Sequence, residues 1–383
     1  MRCEYVRILR TVQHPMLFVI GCCSVFLMML TSCSSNLSVQ RNGQPIGEKT
    51  PAAIYSIVFV IHGDGDYLVH DTNGDEFKAD ELALADAKMV AVLNPEGDVY
   101  IFHQKPSAHF LFFFPLHDGE FYYYHNGRLS ANELYWRNDE RSNFNTEVAL
   151  YQQFHGEFQS EMMSMFLYFG HEIPEIDGKG YDGSYPDKTF TVNDLANGLK
   201  EFTANSAKFD LLSLASCYGG TPYTISTLGP YAHYIVASPE NLHLTYFDLH
   251  SMIRLDTSLQ ARDMSSFTKR FAQQAFDRLA NEVQTTISIA VYDMDRVQKL
   301  LPDAVTVYEQ TLNALKDEKK SESEIEHCDC AELPEYRLPA LNNGVEVLYR
   351  PARFGRSKQK LSHSGWECLR TKKLIIENEL HTD

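Results

Sequence analysis

Five short apolar runs constrain this chain more than any other property of its sequence. They are Ala53–Ile61 (AIYSIVFVI), Asp98–His103 (DVYIFH), Met162–Phe169 (MMSMFLYF), Phe209–Leu214 (FDLLSL) and His233–Ala237 (HYIVA). Each is too short to cross a bilayer, rich in β-branched or aromatic residues, and mostly lacks polar alternation, the pattern of a strand covered on both faces. Between the first two, Lys78–Val92 spaces Ala, Leu and Val at helical intervals with charges on the other face. Between the third and fourth, Thr191–Phe202 reads as a helix with Asp194 in its first turn. Strand, helix, strand repeated along a chain is the signature of a parallel sheet flanked by helices.

The rest of the body fits around that sheet. Phe110–Arg128 is densely aromatic and carries Asp118-Gly119 and Asn126-Gly127, both hairpin-turn dipeptides, so an antiparallel ribbon or edge hairpin is expected. Ser142–Phe154, Asp263–Glu282 and Asp295–Lys316 have helical patterns, with a short strand at Thr286–Tyr292. Asp317–Glu326 is a charge run, read as a solvated helix end or linker, and the tail from Pro334 holds isolated strand-like pieces. The expectation is an α/β domain over 53–316, followed by a linker and irregular extension over 317–383.

The N-terminus is of another kind. Arg2, Arg7 and Arg10 precede an apolar run from Met16 to Leu30, which ends in Leu30-Thr31-Ser32-Cys33. A basic start, a short apolar stretch and small residues describe an export signal, and the run is short of the roughly 20 residues of a spanning helix. The last four residues fit a bacterial lipobox, in which Cys33 is acylated and becomes the first residue of the mature chain. Residues 1–32 are then a signal peptide and 33–52 a lipidated, polar tether. Ser34 after the lipidated Cys matches the convention for outer-membrane sorting. The expected location is the cell envelope, held to the membrane by lipid on Cys33.

Charge supports the rest of that picture. The whole chain has 34 basic and 51 acidic residues, a net of −17. Removing 1–32 takes away three Arg and one Glu, leaving −19. Nucleic acid is not an expected partner, because phosphate binding draws on clustered Lys and Arg. Of eight cysteines, Cys3, Cys22 and Cys23 leave with the signal and Cys33 takes lipid. Cys217, Cys328, Cys330 and Cys368 remain. The last three can form a disulfide in an oxidising compartment, with one thiol left over and the pairing open.

Catalytic groups in a parallel sheet gather beyond the carboxyl ends of its strands. His171 follows the third run and Cys217 the fourth, 46 residues on with one helix between. That interval suits a crossover bringing both to one rim. A thiolate is the nucleophile of cysteine chemistry, and a nearby imidazole lowers the thiol pKa or carries its proton. Gly219 and Gly220 leave room for a substrate's main chain. The alternative is a buried structural Cys and a hydrogen-bonded turn His.

This arrangement resembles the caspase-like clan of cysteine peptidases, and within it the clostripain-type family. That family has a strand ending in His, then one ending in Asp-x-Cys, a helix, and a strand ending in Val-Ala-Ser-Glu. Here the corresponding stretches are DLLSLASC (210–217) and YIVASPE (234–240), with Met162–Asn241 carrying most of the similarity. The resemblance implies a caspase-like α/β/α sandwich with a mainly parallel sheet, no cofactor, no metal, and a peptide or protein substrate. It implies Cys217 as nucleophile, His171 as general acid/base, and the backbone N–H groups of Glu172 and Cys217 as oxyanion donors. Ala215, Gly219, Ser238 and Glu240 become substrate-pocket candidates. Two positions depart from the pattern: Glu172 stands where Gly is usual, and Ala215 replaces the Asp associated with cleavage after Arg or Lys.

Two other readings use the same residues. One is a non-catalytic envelope lipoprotein that keeps the fold for binding. The other is an α/β-hydrolase with Cys217 as nucleophile, Val60-Ile61-His62-Gly63 as oxyanion loop, and His243 or His250 with Asp248 as partners. Asp71–Asp75 resembles a calcium loop, but Glu76 occupies the position that needs Gly, so a surface turn is expected. Asp177–Gly183 reads as a rim loop, and Asn241–Asp248 as pocket lining or a helix cap.

Overall fold

Each of the five apolar runs forms a strand in the computed structural model, and four of them take their place in one sheet in parallel with the first. The structure describes residues 53–63, 68–70, 76–111, 113–137, 143–155, 162–203, 208–242, 249–253, 255, 263–299, 301–306, 308–309, 344–350 and 352–353. The signal and tether, Asp71–Asp75, His243, Asp248, Cys33, Cys328, Cys330 and Cys368 lie outside these residues.

In chain order the strands are β1 (Tyr55–His62), β2 (Leu68–His70), β3 (Glu76–Lys78), β4 (Gly97–Gln104), β5 (His109–Phe110), β6 (Phe114–Pro115), β7 (Gly119–His125), β8 (Arg128–Tyr135), β9 (Met163–Phe169), β10 (Phe209–Ala215), β11 (Ala232–Ala237), β12 (Ile287–Asp293) and β13 (Val345–Arg350). The main sheet runs β13-β12-β11-β10-β9-β1-β4-β7-β8. Its centre, β11 through β4, is parallel, and both edges are antiparallel pairs. The expected aromatic hairpin is β7–β8, at one edge. A second, smaller ribbon, β5–β6, holds Phe110 and Phe114 out in solvent, and Phe113 between them is 83% exposed. At the other edge, β13 comes from the segment read as an extension and pairs with β12.

Alternation along the central strands supplies two apolar layers. Ile57, Phe59 and Ile61 of β1, with Met165 and Leu167 of β9, face the Ala79–Leu93 and Met264–Glu282 helices through Ala87, Val90, Phe267 and Phe271. Val58 and Val60, with Phe166 and Tyr168, face the Asn145–Phe154, Val192–Phe202 and Pro222–Leu228 helices through Tyr151, Leu199, Phe202 and Ile225. The central strands are therefore apolar throughout because both faces are covered. The Val192–Phe202 helix starts with a capping box, in which Thr191 and Asp194 satisfy each other's backbone N–H groups.

The order of connections fixes where a site can form. From β1 the chain crosses to β4 on one side. When it returns it places β9 on the other side of β1, then steps outward to β10 and β11. Loops leaving the carboxyl ends of β1 and β9 thus diverge, and the crevice between them is where ligands bind in open α/β sheets.

Phe166 anchors the layer under that crevice, fully buried with its ring 5.5 Å from both Phe202 and Phe209. Phe166→Ala is expected to cost about 3–5 kcal/mol by lost contacts and a cavity. Urea unfolding followed by circular dichroism measures it, and a loss below about 1 kcal/mol contradicts the anchoring role of this ring.

Candidate active site

β9 and β10 pair in parallel, and the last pair in their register is Phe169 with Ala215. His171 stands two residues beyond Phe169, and Cys217 two beyond Ala215. The backbone bridges them just past the paired residues, where the Gly170 N–H donates to the Ala215 carbonyl at 3.4 Å. Both side chains are half-buried at the same rim of the sheet, beside the diverging loops.

The Cys217 turn is tightly built. Tyr218 has φ +51°, a left-handed conformation that costs a bulky residue energy and holds only where neighbours fix it. Here the neighbours are in the turn after β11: the Tyr218 N–H donates to the Glu240 carbonyl at 3.1 Å and the Gly220 N–H to Ser238 at 2.8 Å. Any side chain at Gly220 would meet Pro239 and the Tyr292 hydroxyl. The Cys217 thiol lies against the same turn, donating to Asn241 Oδ1 at 3.1 Å and the Leu242 carbonyl at 3.2 Å. The Leu242 N–H approaches the sulfur at 3.4 Å.

The pocket candidates divide by position. Gly219 is buried in the Cys217 turn, and Ser238 bonds Glu240 through both its hydroxyl roles, closing the turn that faces it. Ala215 is fully buried and packs in the layer with Leu211, Val236 and Leu242. Glu172 is exposed on the loop after His171.

The α/β-hydrolase arrangement fits poorly. Val60, Ile61 and His62 lie inside β1 and not in a loop, and His62 is buried. The left-handed residue is Tyr218, not Cys217, and the helix begins only at Pro222, so Cys217 does not sit on a strained strand-to-helix elbow. Asp177, Gly178 and Gly180 of the rim loop also have positive φ, at 71°, 67° and 79°. Among the described residues, no group of three or more His, Cys, Asp or Glu is placed to hold a metal ion.

Beside His171 the sequence concealed a buried polar network. His62 Nδ1 shares a hydrogen bond with Gln104 Oε1 at 3.0 Å, and its ring stacks on Tyr181 with centroids 4.3 Å apart. Gln104 donates to Glu147, which also accepts from the Tyr135 hydroxyl. Burial raises the Glu147 carboxyl above its ordinary value, outweighing those donors. Arg137 pairs with the fully buried Asp182 at 2.7 Å, fixing the loop that follows His171. The Tyr168 hydroxyl meets that of Tyr181 at 2.9 Å and reaches the His171 carbonyl at 3.3 Å. Isolated charged and aromatic residues scattered over about 120 positions carry no spacing that would announce this network.

A second cluster lies at the end of β4. His103 Nε2 is 2.8 Å from Asp80, and its Nδ1 is 3.8 Å from Glu120, which also accepts from Lys105 and Tyr122. Burial works against a proton on His103, but the two carboxylates outweigh it and its pKa is raised. Asp80 is lowered, its burial outweighed by the same bond, and Glu120 is lowered chiefly by His103.

The family model described as the clostripain family matches residues 169–359. Among solved structures, the chain is similar to an inactive zymogen C11 protease from Parabacteroides distasonis at 14% identity, covering 86% of this chain and 97% of that one with a TM-score of 0.50. It is also similar to a secreted C11 cysteine protease from Bacteroides thetaiotaomicron, solved with an irreversible peptide inhibitor. That match has 11% identity, covers 67% of this chain and 69% of that one, and has a TM-score of 0.44. A search of curated proteins gave no match.

The His103 cluster sets a pH dependence. A raised His stabilises the fold fully below its ordinary value of 6.5 and loses that contribution as pH rises through the higher folded value. The lowered carboxylates contribute above their ordinary values, 3.8 and 4.5, and lose it as pH falls. His103→Gln is therefore expected to cost about 1–3 kcal/mol between those limits, and less at alkaline pH. Thermal melts of both proteins across pH measure this, and a difference that does not change with pH contradicts it.

Proposed function

Because residues 169–359 match the model of the clostripain family, we propose that this protein is a cysteine peptidase in which Cys217 and His171 form the catalytic pair. The observation that carries the assignment is the register of β9 and β10, which sets both residues the same two positions past the last paired strand residues. The chain order, His before Cys on neighbouring strands, is that of the family and the reverse of the α/β-hydrolase order.

The reaction follows from the groups at that rim. The Cys217 thiolate attacks the scissile carbonyl carbon, and the carbonyl π electrons move to oxygen. The Glu172 and Cys217 backbone N–H groups serve as donors to that oxyanion, a role main chain fills at any side chain. Collapse of the tetrahedral species breaks the C–N bond, and the His171 imidazolium gives its proton to the leaving amine. His171 then takes a proton from water, which attacks the thioester; the C–S bond breaks, releasing the carboxylic acid and restoring the Cys217 thiolate beside the His171 imidazolium. With Ala215 in the apolar layer, position 215 brings no carboxylate to select Arg or Lys.

The same reading assigns the protein to the cell envelope. The Met16–Leu30 run and Leu30–Cys33 motif supply export and a lipid on Cys33, and the polar residues 34–52 separate the lipid from the domain. Among the described residues, no helix is long and apolar enough to cross a membrane.

A thiol-directed peptide probe is expected to label Cys217 in the full chain, and His171→Ala to abolish labelling. Cys217→Ala should lower peptide hydrolysis by about 10³-fold or more. Labelling that survives loss of His171 contradicts the pair, and an unreactive Cys217 in the folded chain favours a binding protein. An alkyne fatty acid fed to cells is expected to mark the protein and to be lost in Cys33→Ser; retained label contradicts the anchor.

A further inference from the structure

Glu175 lies four residues past His171, on the segment that joins β9 to the Val192–Phe202 helix, and is buried. Its Oε1 accepts from the Thr221 hydroxyl and, at 3.0 Å, from the Thr224 hydroxyl. Thr221 lies four residues past Cys217 and caps the Pro222–Leu228 helix by accepting from the Thr224 N–H. A carboxylate on the His171 segment is thus bound to two hydroxyls on the Cys217 segment, and Glu175 and Thr221 stand at equal chain distance from the two reactive groups.

Burying a carboxylate is costly unless donors compensate it, and the two hydroxyls supply such donors here. Neither segment has much other freedom. The His171 segment is held on its far side by Arg137–Asp182 and by the Val192 N–H on the Pro174 carbonyl at 2.9 Å. The Cys217 segment is held by its bonds to Ser238 and Glu240, and by the Tyr292 hydroxyl on the Gly220 carbonyl at 2.9 Å. Glu175 is a buried side-chain tie between these two segments.

We propose that Glu175 is a positioning residue that sets His171 against Cys217. The proposal rests on the catalytic-pair reading above and adds to it a residue that touches neither substrate nor reacting atoms. Its role is to convert two loop ends into one rigid frame, since misplacement of about 1 Å can cost 10²-fold in rate.

The test compares the full-length wild type with Glu175→Ala, Glu175→Gln and Thr224→Val. Hydrolysis of a peptide substrate and the pH dependence of Cys217 alkylation by iodoacetamide are measured, with folding checked by circular dichroism. Glu175→Ala is expected to lower kcat about 10–100-fold with little change in KM. Its alkylation midpoint should move up towards the ordinary thiol value of about 8.5. Glu175→Gln, which keeps one acceptor oxygen, should recover part of both, and Thr224→Val should shift both slightly in the same direction. A folded Glu175→Ala with the wild-type midpoint and kcat overturns the proposal. If that variant does not fold, unchanged values in both Glu175→Gln and Thr224→Val overturn it instead. A wild-type midpoint already near that of an ordinary thiol, and unmoved by His171→Ala, overturns the catalytic pair itself and this role with it.

Discussion

The parallel pairing of β9 with β10 is the constraint on which the rest of this structure depends. Parallel strands cannot be joined by a tight turn, so the chain needs a crossover, supplied by the Val192–Phe202 helix. The crossover leaves the two carboxyl ends side by side, with Gly170 donating across to Ala215. Each strand must then run on into a loop over the same rim. A pairing slipped by one residue would turn Phe166 and Leu212 from one apolar layer to the other, so core packing fixes the register. The hydrophobic core therefore does more than stabilise the sheet: it determines how far His171 and Cys217 extend past it.

That core is interrupted on one side by polar groups, and their placement is informative. His62, Gln104, Glu147, Tyr135, Arg137 and Asp182 are buried together near the carboxyl ends of β1 and β4. Apolar residues of similar size would fill the same volume at lower desolvation cost. What the polar groups add is direction. Asp182 ties the loop after His171 to the end of β8 through Arg137, and the Tyr168–Tyr181 pair ties it to β9. A loop of this length, rich in Gly and Pro, with three residues at positive φ, has little intrinsic preference for one shape. Buried directional bonds give it one.

Legibility in the sequence followed the same division. The central strands were readable because burial on both faces demands continuous apolar runs, and the helix at 191–202 because its cap residues bond locally. The positions of His171 and Cys217 at neighbouring strand ends were readable for a related reason: each is marked by the apolar strand before it. The joining of β13 to the sheet was hidden, since an edge strand half exposed to solvent has no distinctive run. Glu175, Asp182 and Arg137 were hidden too, because each is meaningful only through a partner 45 residues or more away. Long-range polar pairs leave no periodicity, whereas buried strands do.

The two departures from the family pattern bear differently on the proposed chemistry. Glu172 changes a side chain at a position whose assigned contribution is a backbone N–H, and it is exposed, so its carboxylate adds no burial cost at the rim. Ala215 changes a side chain whose assigned contribution is the side chain itself, and it packs in the apolar layer with Leu211 and Val236. Restoring a carboxylate there would place a charge among buried aliphatic groups, at a cost that only a bound cation could offset. In the proposed peptidase, bond cleavage relies on main chain, a thiol and an imidazole, none of which position 215 supplies. In that proposed reading, Ala215 in place of Asp bears on which peptides are recognised and leaves the proposed bond-breaking groups in place.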